Sequence, residues 1–193
     1  ALFVCSGTMG NQIALRVHTH FSKQAVFPSV VFDMEAHAGY EELGGAVTNA
    51  RVMPVFVQRG PDTRYMTAEH VRRALVKDHD LHRTTTIGVC VENTWHGIVT
   101  PIEEFRKVGE LAKENGLFVH LDGARIWNAS VATGVSLKEW CSHVDSASLC
   151  FSKGLGAPIG SVLVGSSKFI EAAKEVRKAF GGGWRQCGFL ASA

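Results

Sequence analysis

Short apolar runs alternate with capped, amphipathic stretches along nearly the whole chain, and this alternation limits the folds open to it. Pro28 to Met34, Val52 to Val57, Thr86 to Glu92, Leu117 to Asp122, Ala147 to Phe151 and Ser161 to Gly165 have the length and apolar content of strands. Helical patterns lie among them. One follows Ser6 and Thr8 through about Val17, one spans Thr67 to Val76 behind a threonine cap, one opens at Pro101 and closes at Asn115-Gly116, and one spans Ser167 to Phe180. Such an order predicts an α/β fold, a mostly parallel sheet with helices on both faces. No repeat or Pro/Ser-rich linker interrupts it, so residues 1–193 read as one domain.

Parallel sheets place their chemistry at the carboxyl ends of strands. In Cys150-Phe151-Ser152-Lys153-Gly154-Leu155-Gly156-Ala157-Pro158-Ile159-Gly160, Lys153 emerges from an apolar run among small residues. A surface lysine needs no glycine-rich turn. A lysine that forms a Schiff base needs close backbone approach and an environment that keeps its amine partly unprotonated. Upstream, Leu117-Phe118-Val119-His120-Leu121-Asp122-Gly123-Ala124-Arg125 ends a strand in Asp122. Pyridoxal phosphate uses both residue types, a lysine for its aldehyde and an acid against its pyridinium nitrogen. The plainer readings are a loop lysine and a turn or N-cap aspartate, and Asp122 taken alone favours the plainer one.

Other stretches count only in combination. Behind Ser6-Gly7-Thr8-Met9-Gly10-Asn11-Gln12, the free N–H groups of a helix start would receive a phosphate, although most such caps bind nothing. His37, in Glu35-Ala36-His37-Ala38-Gly39-Tyr40, is either a hydrogen-bonded loop residue or a ring that stacks on an aromatic cofactor and exchanges protons. Gly154, Gly156 and Gly160 approach a dinucleotide fingerprint, but Ile159 to Val164 reads as strand where that motif must open a helix. His18 and His20 find no partner cluster that suggests a metal.

A net charge of +2 gives no argument for nucleic acid. No apolar run reaches membrane-spanning length, and mean hydropathy is +0.06. The five cysteines show no CxxC spacing and read as reduced core residues, which favours a cytoplasmic setting. The start at Ala1 without methionine and the stop within Leu190-Ala191-Ser192-Ala193 read as a fragment.

Taken together, Ser6 to Gln12, Glu35-Ala36-His37, Glu92-Asn93-Thr94, His120 to Arg125, Ser152 to Pro158 and Gly181 to Gln186 resemble the threonine aldolase family, in order along the whole chain. The resemblance implies a fold-type-I pyridoxal-phosphate enzyme with the large-domain architecture of aspartate aminotransferase. It implies a homo-oligomer, usually a tetramer with active sites at a dimer interface, whose N-terminal segment and C-terminal small domain are missing from this chain. It makes Lys153 the Schiff-base lysine and Asp122 the partner of the pyridine nitrogen. It places Gly7 and Thr8 at the cofactor phosphate, His37 on the ring, Arg125 near ring and substrate carboxylate, and His82 as a second histidine near the substrate. In two places this chain departs from the family: Trp95-His96 follows Thr94 in place of His-Asn, and Trp184 follows the triple glycine in place of methionine.

The implied reaction is retro-aldol cleavage of L-threonine or L-allo-threonine to glycine and acetaldehyde, with His37 or His82 as the base or acting through a water. Two rivals stand beside it: a racemase or beta-eliminating lyase on the same scaffold, and an inactive truncated cofactor-binding module.

Overall fold

The computed structural model describes residues 1–22, 25–77 and 81–192. In chain order the elements are β1 (Leu2–Val4), α1 (Gly7–Phe21), β2 (Pro28–Asp33), α2 (His37–Tyr40), α3 (Gly45–Thr48), β3 (Met53–Val57), α4 (Ala68–Ala74), β4 (Thr85–Glu92), α5 (Ile102–Glu114), β5 (Phe118–Gly123), α6 (Ile126–Thr133), α7 (Leu137–Cys141), β6 (Ser146–Cys150), β7 (Ser161–Gly165), α8 (Ser167–Ala179) and α9 (Gly188–Ala191). The strands fall where the apolar runs predict. The first helix runs one turn beyond Val17 because His18 and Phe21 still pack, on Phe118 and Lys168 respectively. The short helices α2, α3, α6 and α7 were not expected, since each is too brief to show a helical period.

The seven strands form one sheet in the order β1-β7-β6-β5-β4-β2-β3. Neighbours from β6 to β3 are parallel, while β7 is antiparallel to both β6 and β1. The reversal follows from the linker: Phe151 to Gly160 holds no helix, so the chain cannot cross over and turns back beside β6. The turn thereby carries Lys153 to the carboxyl end of β6.

Strand alternation divides the two faces. On one face Val119, Leu121, Ala147 and Leu149 join a core with Phe105, Val108 and Leu111 of α5 and the buried Trp140 of α7. The indole of Trp140 meets Phe105 edge to face at 5.1 Å. On the other face the same two strands point His120, Asp122, Ser146, Ser148 and Cys150 toward α1. That side stays polar and small because α1 approaches closely: a Cβ added at Gly10 would overlap the Ser148 hydroxyl, and one at Gly7 would lie 2.9 Å from Cys150 Sγ. Elsewhere α1 and α8 close an apolar cluster with β1 and β7 through Val4, Ile13, Val17, Leu163 and Phe169.

Among the described residues no helix is long and apolar enough to cross a membrane. All five cysteines are free thiols.

Candidate active site

A cleft of about 380 Å3 opens at the carboxyl ends of the central strands, between the start of α1 and the β6–β7 turn. Its lining includes Gly7, Thr8, His37, Asp122 and Lys153. Five residues expected at a single site from sequence thus meet from four separate segments.

Lys153 is exposed on a turn that the backbone holds in shape. Phe151 and Ser152 N–H groups donate to Gly160 O at 3.0 and 3.3 Å, and Gly156 N–H donates to Lys153 O at 3.0 Å. Gly156 and Gly160 take positive φ values of 71° and 105°, conformations that a side chain would strain. The indole N–H of Trp127 anchors the strand end by donating to Cys150 O at 2.9 Å. The glycine-rich character of the stretch therefore serves a tight reversal, not a dinucleotide loop.

Across the cleft, Ser6 caps α1 by accepting from Met9 N–H at 3.1 Å, and Gly7 and Thr8 line the opening at this end of the helix. At the floor, the buried Asp122 carboxylate accepts from Ala124 N–H at 3.1 Å through Oδ1 and from the Asn11 amide at 2.8 Å through Oδ2. The same Asn11 amide donates to Glu42 Oε1 at 2.9 Å. His37 Nδ1 lies 3.1 Å from that Glu42 oxygen and 4.0 Å from Asp122 Oδ2. Its backbone N–H donates to Glu92 Oε2 at 2.9 Å. The imidazole is pinned at one nitrogen and 41% exposed, so its other edge faces the opening.

Three carboxylates crowd this floor, and their electrostatics differ. Burial raises Glu42 above the ordinary carboxylate range, against the pull of His37 and Asn11. Burial, then the Asp122 charge, raises Glu92 from 4.5 to about 7. The hydrogen bond to Glu42 raises His37, outweighing its partial burial. Of the three raised groups, Glu92 is brought to about neutrality, beside the His37 N–H that it accepts. The ligand atoms of His37, Glu42 and Asp122 lie within 4.8 Å of one another, a closeness that the shared Asn11 amide and the His37–Glu42 bond explain without a cation.

Two expected residues lie elsewhere. Arg125 is exposed at the start of α6, next to the cleft-lining Ala124 but not itself in the lining. His82 sits exposed in the bend before β4, at the amino end of the strand whose carboxyl end carries Glu92. A strand of this length separates the two by roughly 20 Å at about 3.3 Å per residue. Within one chain His82 is therefore remote from the cleft. Trp95 also lies outside the lining: the Arg59 guanidinium stacks on its ring at 3.5 Å, and its indole N–H donates to Glu35 O at 3.4 Å. Trp184 stacks on Phe3 at 5.0 Å.

Asn11 and Glu92 entered the sequence reading only as members of longer motifs and Glu42 not at all; Asn11 lines the cleft, and the two glutamates reach it through Asn11 and His37. Asn11 lies one helical turn after Gly7, and Glu92 ends β4 in register with Asp122, so periodicity could have found both. Glu42 carries no local signal, because it reaches the floor only through the fold of α2 and α3.

A family model described as Beta-eliminating lyase matches residues 1–193. The low-specificity L-threonine aldolase of Candida albicans is 49% identical over 100% of this chain, which covers 50% of that protein. A solved structure from Listeria monocytogenes, provisionally assigned as an L-allo-threonine aldolase, superposes with a TM-score of 0.79 at 28% identity, over 94% of this chain and 48% of the other. Aspartate aminotransferase of Thermus thermophilus shares the fold alone, with a TM-score of 0.63 at 18% identity over 93% of this chain and 47% of its own. The chain spans about half the length of the curated relatives it matches.

Proposed function

Because the chain belongs to the beta-eliminating lyase family, we propose that it is the cofactor-binding large domain of a pyridoxal-phosphate-dependent aldolase that cleaves L-threonine or L-allo-threonine to glycine and acetaldehyde. The observation that carries this reading is the meeting of Lys153, Asp122, His37 and the α1 start in one cleft. The donor set fits the cofactor. Lys153 offers an amine to an aldehyde, Asp122 offers an acceptor to a ring nitrogen, and Gly7 and Thr8 offer helix-start N–H groups to a phosphate. The glycine at position 7 keeps this end of the helix open, since a side chain there would press on Cys150.

When bound, pyridoxal phosphate supplies an aromatic electron sink for the pair released by the broken Cα–Cβ bond. The protein supplies position and protons. Asp122 is held at both oxygens, which fixes its direction. With Nδ1 bonded to Glu42, His37 keeps Nε2 to take the proton of the substrate's β-hydroxyl as the bond to acetaldehyde breaks. A proton then returns to Cα to give glycine. Arg125, beside the cleft, serves the substrate carboxylate, and the complete protein acts as a homo-oligomer.

The test uses the complete protein with added cofactor. It follows aldehyde released from L-threonine and L-allo-threonine beside the interconversion of D- and L-alanine. Aldehyde release without alanine racemisation supports the reading. Racemisation or β-elimination without aldehyde would replace it with a different reaction on the same scaffold.

A further inference from the structure

Behind the cleft floor a line of buried and half-buried polar side chains runs from Asp122 along the sheet-facing side of α1 to His18. The Asn11 amide donates to Asp122 and Glu42, so its carbonyl must face the other way, toward His120 Nε2 at 3.0 Å. A carbonyl can only accept, so His120 carries its hydrogen on Nε2. His120 is fully buried, and burial holds its imidazole neutral with a pKa lowered to about 3. Its Nδ1 is then a bare acceptor, and the Ser146 hydroxyl 2.8 Å away must donate to it. That uses the only hydrogen of Ser146. His18 Nε2, also 2.8 Å from Ser146 Oγ, must therefore donate to the hydroxyl oxygen. Burial likewise lowers His18 to about 3, and its ring is held flat on Phe118 at 4.1 Å.

Every donor in this line points the same way, from His18 through Ser146, His120 and Asn11 to the carboxylates. We infer that His18, Ser146, His120 and Asn11 form a positioning chain that fixes the orientation of Asp122 as a hydrogen-bond acceptor at the cleft floor. The inference rests on Asp122 being the partner of the cofactor's ring nitrogen. The directionality matters because a reversed Asn11 would turn its carbonyl toward both carboxylates. Both carboxylates would then lose a hydrogen-bond donor and face a carbonyl dipole. Asp122 accepts one hydrogen bond at each oxygen, from Asn11 and from Ala124 N–H, and the chain behind Asn11 fixes the first of them. The charged and titratable groups that face it are Glu42 beyond α2, His37 at the start of α2, Glu92 and Cys90 on β4, and Lys153 across the cleft. None of them touches Ser146 or His120 through a hydrogen bond among the described residues.

The experiment has two arms, both on the complete protein. In the first, nitrogen-15 NMR of the apoprotein reads the histidine tautomers. The expected result is neutral Nε2–H forms of His120 and His18 that persist to pH 5. An Nδ1–H form of His120, or its protonation at pH 6, would overturn the chain. In the second arm, equilibrium titration gives cofactor affinity for Asp122→Asn, His120→Leu and His120→Gln. Losing a hydrogen bond that supports a buried charge raises the dissociation constant of His120→Leu about tenfold or more. His120→Gln, whose amide still donates to Asn11, recovers most of the affinity. If Asp122→Asn binds like the unaltered protein, the reading of Asp122 and this inference both fail. If Asp122→Asn binds weakly and His120→Leu binds normally, only the positioning chain fails. Should His120→Leu not fold, the tautomers of the unaltered protein still decide.

Discussion

Replacing Glu92 by glutamine should stabilise the protein at alkaline pH and leave it nearly unchanged in acid. Glu92 ends β4 beside Asp122 on β5 and accepts the His37 N–H at 2.9 Å. Its carboxyl is raised from 4.5 to about 7, so the native state holds the proton more tightly than the unfolded chain does. Below pH 4.5 both states are protonated and nothing is lost. As the pH rises from 4.5 to 7 the unfolded chain ionises first, and native stability falls by about 1.4 kcal/mol per pH unit, a total loss of about 3 kcal/mol above pH 7. Glutamine keeps an oxygen for His37 N–H and carries no charge. The variant should therefore gain about 2 to 3 kcal/mol over the unaltered protein between pH 5 and 8.5. Urea unfolding of both apoproteins at equal concentration, followed by tryptophan fluorescence and circular dichroism, measures the difference and cancels the subunit term. A difference that stays flat with pH, or shrinks as pH rises, would refute the burial argument.

Other expectations follow from the same geometry. His18 and His120, lowered to about 3 by burial, bind protons only after unfolding between pH 6.5 and 3, so each withdraws about 1.4 kcal/mol per pH unit on acidification. His120→Gln should flatten the acid limb of stability by that amount, measured as denaturation midpoints from pH 6 to 4.5. Gly10→Ala gains helix propensity but presses a methyl on Ser148, and overpacking of this kind costs about 1 to 3 kcal/mol, read as a lower urea midpoint. The Glu42 bond raises His37 above 6.5, so turnover should rise with pH through a midpoint above that value as the base is freed. Glu42→Gln should move the midpoint of the pH–rate profile downward.

Much of the sheet was legible because its strands are short apolar runs bounded by turn residues or helix caps. Lys153 and Asp122 were legible because each follows such a run at its carboxyl end. The antiparallel β7 was implicit in the ten residues from Phe151 to Gly160, which are too few for a crossover helix. What escaped is the part set by packing between elements distant in sequence. Helical period places Asn11 on the face of Gly7, but it does not reveal that Asn11 reaches Asp122 across 111 positions and Glu42 across 31. His18 read only as a histidine beside His20 with no metal cluster, although it reaches the same Ser146–His120–Asn11 line from α1. His82 is the reverse case: its place in the family pattern points to the substrate, and within the chain an eight-residue strand lies between it and the cleft end of the sheet.

The most direct measurement is the visible absorbance of the complete protein with added pyridoxal phosphate, with and without Lys153→Ala, followed by L-threonine and an aldehyde assay. The proposed function predicts a cofactor band that depends on Lys153 and aldehyde release that disappears with it. An unchanged band and undiminished aldehyde release in Lys153→Ala would contradict it.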